Sequence, residues 1–478
     1  MADETVTPLR GLGLCTHFER RELGWKVERL LPLVRQMGAS VLRQEPCGWA
    51  AVERAQGAYE LPEATRDWMD RATQAGLSII PCLCGRNPAY DNPLDPQAFA
   101  RYARHMARTL TERFAVSAIE IWNEPTNFDF LPQYGGSWGG AEPCLWLEKF
   151  AELVALAARE IKGQAPEIPV IVSPGEPQFV HMAMRYPQSL ADVDAVAVYP
   201  YPNRFPPETV PWGGPQIHRR DGVSVADDDH SYLSLWRRLR EDCRRHLGRE
   251  LTMYATEYGY STYDHSRKGA NAAGYSESAQ AIYLARGLIL TLAAGVEAVC
   301  IYDLMDDGID RYDPEDNFGL VRHEKRRFEP KPAWGVLGRV ARQLAPAWKH
   351  LPDPPGRLCV EINPLPCNDD EWQQPPIEPH LRITAPQAHW FTAGGAWVSF
   401  VWRGGRIGGE YREPVGSIVW DGAPEFRSIE MCDLYANQPL PARTSRDGGR
   451  LVLHDVPVGA EPVAIRWAPE EGAAAGGS

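Results

Sequence analysis

The sequence predicts an α/β fold, a (β/α)8 TIM barrel followed by a C-terminal β-sandwich, on three observations. Short apolar runs alternate with amphipathic stretches from Leu12 to about residue 345, the alternation repeats eight times in one series, and past Pro352 short β-rich runs stand between prolines and glycines. Strand–helix alternation implies a parallel sheet with helical crossovers, and eight units in a single run fit a closed barrel better than an open sheet. The expected domains are a catalytic barrel over 1–350 and a sandwich over 351–470, with a disordered tail over 471–478.

Taken in order, the barrel strands are read at 11–17, 40–45, 77–83, 118–123, 169–174, 195–201, 251–257 and 298–304. Each is a short apolar run of strand length. The helical runs after them are read at 26–37, 65–75, 96–114, 145–162, 231–247, 277–294 and 333–344, while the fifth crossover, 178–190, is less regular and contains Pro187. In the sandwich, β-rich runs fall at 396–402, 416–420, 427–434 and 462–467. The basic stretch 237–249 sets its arginines among Leu239, Cys243 and Leu247 at helical spacing, which reads as a solvated helix face.

Composition narrows the partners. Fifty Lys and Arg against 63 Asp and Glu give a formal net charge of −13, which repels phosphate backbones and anionic lipid. Nucleic acid and membrane surfaces are therefore excluded as expected partners. The most apolar helix, 281–295, still carries Arg286, so no transmembrane span is expected. Residues 1–10 carry Asp3, Glu4 and a proline where a secretory leader needs positive charge and a long apolar run, so a cytoplasmic location is expected, or secretion if a leader has been trimmed. Ten scattered cysteines without CxxC pairs read as mostly reduced thiols.

The strongest chemical signal is Ile119-Glu120-Ile121-Trp122-Asn123-Glu124-Pro125, a strand that ends in a carboxylate followed by proline. Proline bars continuation of the ladder, and Asn123 offers a donor and an acceptor beside the carboxyl. A second carboxylate, Glu257 in Met253-Tyr254-Ala255-Thr256-Glu257-Tyr258-Gly259, takes the equivalent place on the seventh strand. Barrels of this kind place chemistry at the carboxyl ends of their strands. Two carboxylates facing one pocket are what glycoside hydrolysis needs, one protonated to release the leaving oxygen and one ionised.

Trp122-Asn123-Glu124-Pro125 with a distant Glu257 resembles clan A of the glycoside hydrolases. Arg43, then Trp49, Val52-Glu53 and Gly57-Ala58-Tyr59 are similar to the strand-two arginine and the following stretch of families 39, 42 and related members. Tyr302-Asp303-Leu304, Asn317-Phe318-Gly319-Leu320 and Lys331-Pro332-Ala333-Trp334 most resemble family 39 and its uncharacterised relatives. The resemblance implies a retaining glycosidase acting on β-linked glycosides or polysaccharides, with Glu124 as acid/base and Glu257 as nucleophile. At a separation of roughly 5–5.5 Å such a pair works by double displacement. It further implies that Arg43 and Tyr201 keep Glu257 ionised, that Asn123 bonds the sugar's 2-hydroxyl, and that no cofactor is required. One departure stands out: Tyr199 in Val198-Tyr199-Pro200-Tyr201-Pro202 occupies a place where the family commonly has histidine.

Loop aromatics Trp49, Trp138, Trp212, Tyr258, Tyr260 and Tyr302 are candidates for stacking on sugar rings, and His17, ending strand one, is a further substrate-binding candidate. Trp138, in Gly135-Gly136-Ser137-Trp138-Gly139-Gly140, is expected on a loop able to close over substrate. Plainer readings stand beside these: Arg43 as an ion-pair partner of Glu45 or Glu53, the tryptophans as loop packing, and His17 as a histidine satisfied by backbone. The acidic stretch 303–316 lacks the order of a calcium loop and reads as a solvated loop, so no metal is expected, and Asp227-Asp228-Asp229 reads as a helix cap. Rival functions are a sugar-binding barrel without turnover, a transglycosylase, and an interaction protein driven by the sandwich. The sugar, the linkage, endo or exo action and the oligomeric state stay open.

Overall fold

The computed structural model describes residues 6–44, 48–211, 220–267, 273–360, 385–407 and 414–470. Trp212, Glu45, Cys47, Cys367 and the tail over 471–478 lie outside the described residues. Eight strands close into a parallel barrel: β1 (Leu12–Cys15), β2 (Val41–Gln44), β3 (Ser78–Leu83), β4 (Ile119–Ile121), β5 (Val170–Val172), β6 (Ala195–Val198), β7 (Thr252–Tyr258) and β8 (Ala298–Ile301). They neighbour one another in chain order, and β1 pairs in parallel with both β2 and β8. Every residue of β1, β2, β4, β5, β6 and β8 is buried. This is the continuous apolar texture of a sheet covered on both faces.

The crossovers are α1 (Val27–Met37), α2 (Glu63–Gln74), α3 (Pro96–Arg113), α4 (Leu145–Gln164), α5 (Glu176–Arg185), α6 (Tyr232–Leu247), α7 (Glu277–Ala293) and α8 (Pro332–Leu344). Their starts are written in local chemistry. Asp95 accepts from the Ala98 amide ahead of Pro96 at the start of α3, and Ser276 accepts from the Ala279 amide at the start of α7. In α1, Val27, Leu30, Leu31, Val34 and Met37 form one buried stripe. The 227–229 acidic run is only partly a cap: Asp229 accepts from the Ser231 amide, whereas Asp227 pairs with Arg237 and Arg238.

After the barrel come β9 (Trp348–Leu351), β10 (Arg357–Val360), β11 (Pro386–Ala393), β12 (Ala396–Arg403), β13 (Val415–Asp421), β14 (Phe426–Asp433), β15 (Gln438–Leu440), β16 (Arg443–Asp447), β17 (Arg450–Pro457) and β18 (Val463–Pro469). A six-stranded antiparallel sheet, β9-β11-β12-β18-β14-β15, faces a four-stranded one, β10-β13-β17-β16. Trp390, Trp420 and Trp467 fill the space between them with Ile418, Leu453 and Ile465. The outer side of the larger sheet joins the barrel's own core through Phe391, Phe400 and Trp402.

That docking explains α7, in which 14 consecutive residues from Ala279 to Leu292 are buried. A helix apolar on all sides needs cover on all sides; here the barrel supplies one and the sandwich another. Arg286, fully buried, pairs with Glu208, which also accepts from the Trp402 indole (2.8 Å) and the Gly405 amide (3.1 Å) of the sandwich. Close packing requires glycine at 287, since a Cβ there would fall 2.1 Å from the Tyr258 hydroxyl. Tyr258 and Tyr260 are accordingly core residues, not sugar-facing ones. Among the described residues, no helix is long and apolar enough to cross a membrane, and the cysteines are free thiols.

Candidate active site

β4 is shorter than its sequence suggests because Trp122 adopts φ 69° and Glu124 φ 43°, left-handed values that end the ladder at Ile121. Such conformations cost of order 1–3 kcal/mol each for residues with side chains. Packing holds them: the fully buried Trp122 ring lies 5.1 Å from Phe99 and 5.0 Å from Phe130, and its carbonyl accepts from the Cys82 thiol. The reversal leaves Asn123 and Glu124 half-buried in the wall of a cavity of about 710 Å³ at the carboxyl end of the barrel. Glu257, next to last in β7, lines the same cavity.

Arg43 at the end of β2 organises the floor. Its Nη1 donates to Glu257 Oε1 (2.7 Å), its Nε to Glu120 Oε2 (2.8 Å), and its Nη2 to Asn123 Oδ1 (2.8 Å) and to the Tyr199 hydroxyl oxygen (2.6 Å). Of the partners expected as alternatives, Glu45 lies outside the described residues, and Glu53 accepts instead from the Trp49 indole, the Gly57 amide and the Tyr90 hydroxyl. Tyr201 donates to Glu257 Oε2 at 2.8 Å, so both oxygens of that carboxylate are held. Tyr199 fills its place as a relay: it accepts from Arg43 and donates to Asn123 Oδ1 at 2.8 Å, fixing the carboxamide. Burial pushes both phenols well above their ordinary value, which keeps them donors.

Arg43 and Tyr201, expected to keep Glu257 ionised, are outweighed by burial. Burial pushes the Glu257 carboxyl up to about 8; Arg43 opposes this, Glu124 adds to it, Tyr201 opposes it and Glu120 adds to it. One guanidinium shared between two buried carboxylates does not neutralise both. Glu120 is a residue of the site that sequence reasoning passed over. Fully buried, it accepts from Arg43 and from Thr256 Oγ1 (2.7 Å), with the Tyr199 hydroxyl 3.2 Å away, and its signal was a lone charge between Ile119 and Ile121. Asn127, whose amide donates to Glu124 Oε2 at 3.0 Å, was missed too, because it sits in an irregular loop without a motif.

Of the other candidates, His17, Trp138 and Tyr302 line the cavity. Trp138 is 45% exposed, and Phe128, 70% exposed, also lines the cavity. The glycine-rich loop is pinned: Ser137 O accepts from the Trp146 indole, and Trp138 O from the Gln178 amide. Trp49 is a correction. It is fully buried behind the cavity wall, stacked on Tyr90 and Tyr102, with its indole tied to Glu53, so it offers no face to a ligand. The acidic stretch is another, since Asp303, Asp306 and Asp307 are buried rather than solvated. Asp306 is matched by the Lys331 ammonium at 2.6 Å, whereas Asp303 and Asp307 gather around His17.

The chain matches no protein-family model and no curated protein. Solved structures resemble it over nearly all its length. A family 39 glycoside hydrolase from Bacteroides cellulosilyticus WH2 superposes with a TM-score of 0.65 at 19% identity, covering 96% of this chain and 81% of that one. The barrel-and-sandwich fold is shared with glycoside hydrolases of families 39 and 30. A family 30 subfamily 8 xylanase from Clostridium acetobutylicum gives 0.57 at 11% identity, covering 97% of both chains. A monomeric β-xylosidase from Caulobacter crescentus CB15 gives 0.56 at 14%, covering 98% of this chain and 97% of that one.

Proposed function

We propose that the chain is a retaining glycoside hydrolase of β-linked glycosides or polysaccharides, with Glu257 as nucleophile and Glu124 as acid/base. The observation that carries this reading is an asymmetry within one cavity: both oxygens of Glu257 are gripped by Arg43 and Tyr201, while the Glu124 carboxylate accepts, among the described residues, only the Asn127 side-chain amide and stands half-buried. A nucleophile must be aimed and its charge supported; an acid/base must be free to give up and take back a proton.

In the first step a Glu257 oxygen bonds to the anomeric carbon as the glycosidic bond breaks, and Glu124 passes its proton to the departing oxygen. In the second, Glu124 takes a proton from water, whose oxygen displaces Glu257 and restores the starting ionisation. The productive form has one proton on the pair, placed on Glu124. Moving that proton between the two carboxyls leaves the count unchanged, so a pH profile reports the pair and not either residue. With Asn123 Oδ1 held by Arg43 and Tyr199, its Nδ2 amide is the donor left for a sugar hydroxyl. Phe128 and Trp138 give the rim two aromatic faces for further sugar rings. The substrate partner is thus a carbohydrate, and the named activities of the structural neighbours make xylosides and xylans the first members of the panel.

The test is a panel of aryl β-glycosides and β-linked polysaccharides with the product anomer followed by proton NMR. The β-anomer is expected to appear first, with mutarotation later. First appearance of the α-anomer, or tight glycan binding with no hydrolysis, overturns the proposal.

A further inference from the structure

We propose that His17, Asp303 and Asp307 form a binding site for one divalent transition-metal ion, of the manganese or zinc class, in the wall of the cavity. The site joins the loop after β1 to the loop after β8, and it does not depend on the glycosidase reading.

Four observations support it. The ligand atoms of the three residues all lie within 4.8 Å of one another. His17 Nδ1 is 3.1 Å from Asp307 Oδ2 and 3.8 Å from Asp303 Oδ2. Ligands about 2.1–2.3 Å from a shared ion, at angles of about 90–125°, stand about 3.0–4.1 Å apart. The second observation concerns Asp303, which is 1% exposed and, among the described residues, has neither carboxylate oxygen in a hydrogen bond. A buried carboxylate without partners is costly, and a cation removes that cost. The cations nearby are committed or peripheral: Lys331 is bonded to Asp306, Thr262 Oγ1 and the Asn317 carbonyl, and half-exposed Arg20 approaches only Asp307, at 3.7 Å.

Third, Asp307 is oriented from behind, its Oδ1 accepting the Trp25 indole at 2.6 Å, which is the outer-shell support usual for a ligating carboxylate. Fourth, one imidazole and two carboxylates neutralise a dication, and the mixed nitrogen and oxygen set suits manganese or zinc better than calcium, which takes six to eight oxygens. Three protein ligands also leave coordination positions for water or a sugar hydroxyl, and His17 lines the cavity.

The experiment uses the full chain, stripped with chelator and desalted. Mn²⁺ uptake is read from loss of the free-ion EPR signal and Zn²⁺ uptake by titration calorimetry. The proposal expects saturable binding of one ion per chain. Asp303→Asn, with the folded state checked by circular dichroism, should weaken it by roughly 100-fold or more, and Trp25→Phe by about 10-fold. Asp313→Asn, on the exposed part of the same acidic stretch, should leave it unchanged. If Asp303→Asn does not fold, the wild-type stoichiometry together with the Trp25 and Asp313 variants still decides. No saturable uptake of either ion by the wild type, undiminished uptake by folded Asp303→Asn, or equal losses in Asp313→Asn and Trp25→Phe overturns the proposal.

Discussion

Replacing Glu257 with glutamine should stabilise the protein at alkaline pH and do so progressively less as pH falls. The folded state holds this carboxyl's proton up to about 8, against an ordinary value of 4.5, because burial and the neighbouring carboxylates outweigh Arg43 and Tyr201. A raised carboxyl binds its proton more tightly in the folded than in the unfolded chain. Its contribution therefore favours folding at low pH and is lost as pH climbs from about 4.5 through about 8. At 1.36 kcal/mol per pH unit the whole loss is roughly 5 kcal/mol. Glutamine has no proton to lose, and Arg43 keeps Glu120 as a partner. Urea unfolding of both proteins at intervals from pH 5 to pH 9 measures the difference. The variant should gain on the wild type by several kcal/mol over that range, with most of the change between pH 5 and 8. Parallel profiles would refute the claim that burial dominates the nucleophile's environment.

Other outcomes follow from the same geometry. Activity should fall tenfold per pH unit above about 8, where the pair loses the one proton the reaction needs; a plateau to pH 10 in kcat/KM would contradict the reading of Glu257. Arg43→Met removes four hydrogen bonds at once and leaves two carboxylates facing each other, so kcat/KM should drop by roughly 10³-fold or more by analogy with loss of preorganised donors. Trp49→Ala should cost about 3–5 kcal/mol of stability, whereas Trp138→Ala should raise KM with little effect on melting. Arg286→Met leaves Glu208 as an uncompensated charge between barrel and sandwich and should cost about 3–5 kcal/mol in thermal or urea unfolding.

The barrel was legible in the sequence because buried parallel strands carry near-continuous apolar runs and each crossover helix shows its own period. Glu124 was legible through Asn-Glu-Pro at a strand end, and Glu257 through its place on the seventh strand. What sequence could not show was the turn at Trp122, since its left-handed backbone is held by packing against Phe99 on the preceding crossover helix and Phe130 in the segment that follows. Glu120 was hidden because a strand's alternation says which face a side chain takes, not which strands across the barrel interior supply its partners, here β2, the end of β6 and β7. Trp49 misled because a tryptophan after a strand end reads alike whether it faces sugar or core; the deciding neighbours, Tyr90 and Tyr102, come from the next βα unit. The stretch after β8 looked solvated by composition, yet its first carboxylates turn inward toward His17, at the other end of the barrel's sequence, and toward Lys331, at the start of α8.

The central claim is that Glu257 becomes covalently bonded to the sugar. Intact-mass analysis after incubation with a panel of activated 2-fluoro β-glycosides, followed by peptide mapping, tests it directly. One sugar-sized adduct on the peptide carrying Glu257, absent in Glu257→Gln, is the predicted result. An adduct on another carboxylate, or none with any sugar in a preparation that hydrolyses the parent glycoside, would contradict it.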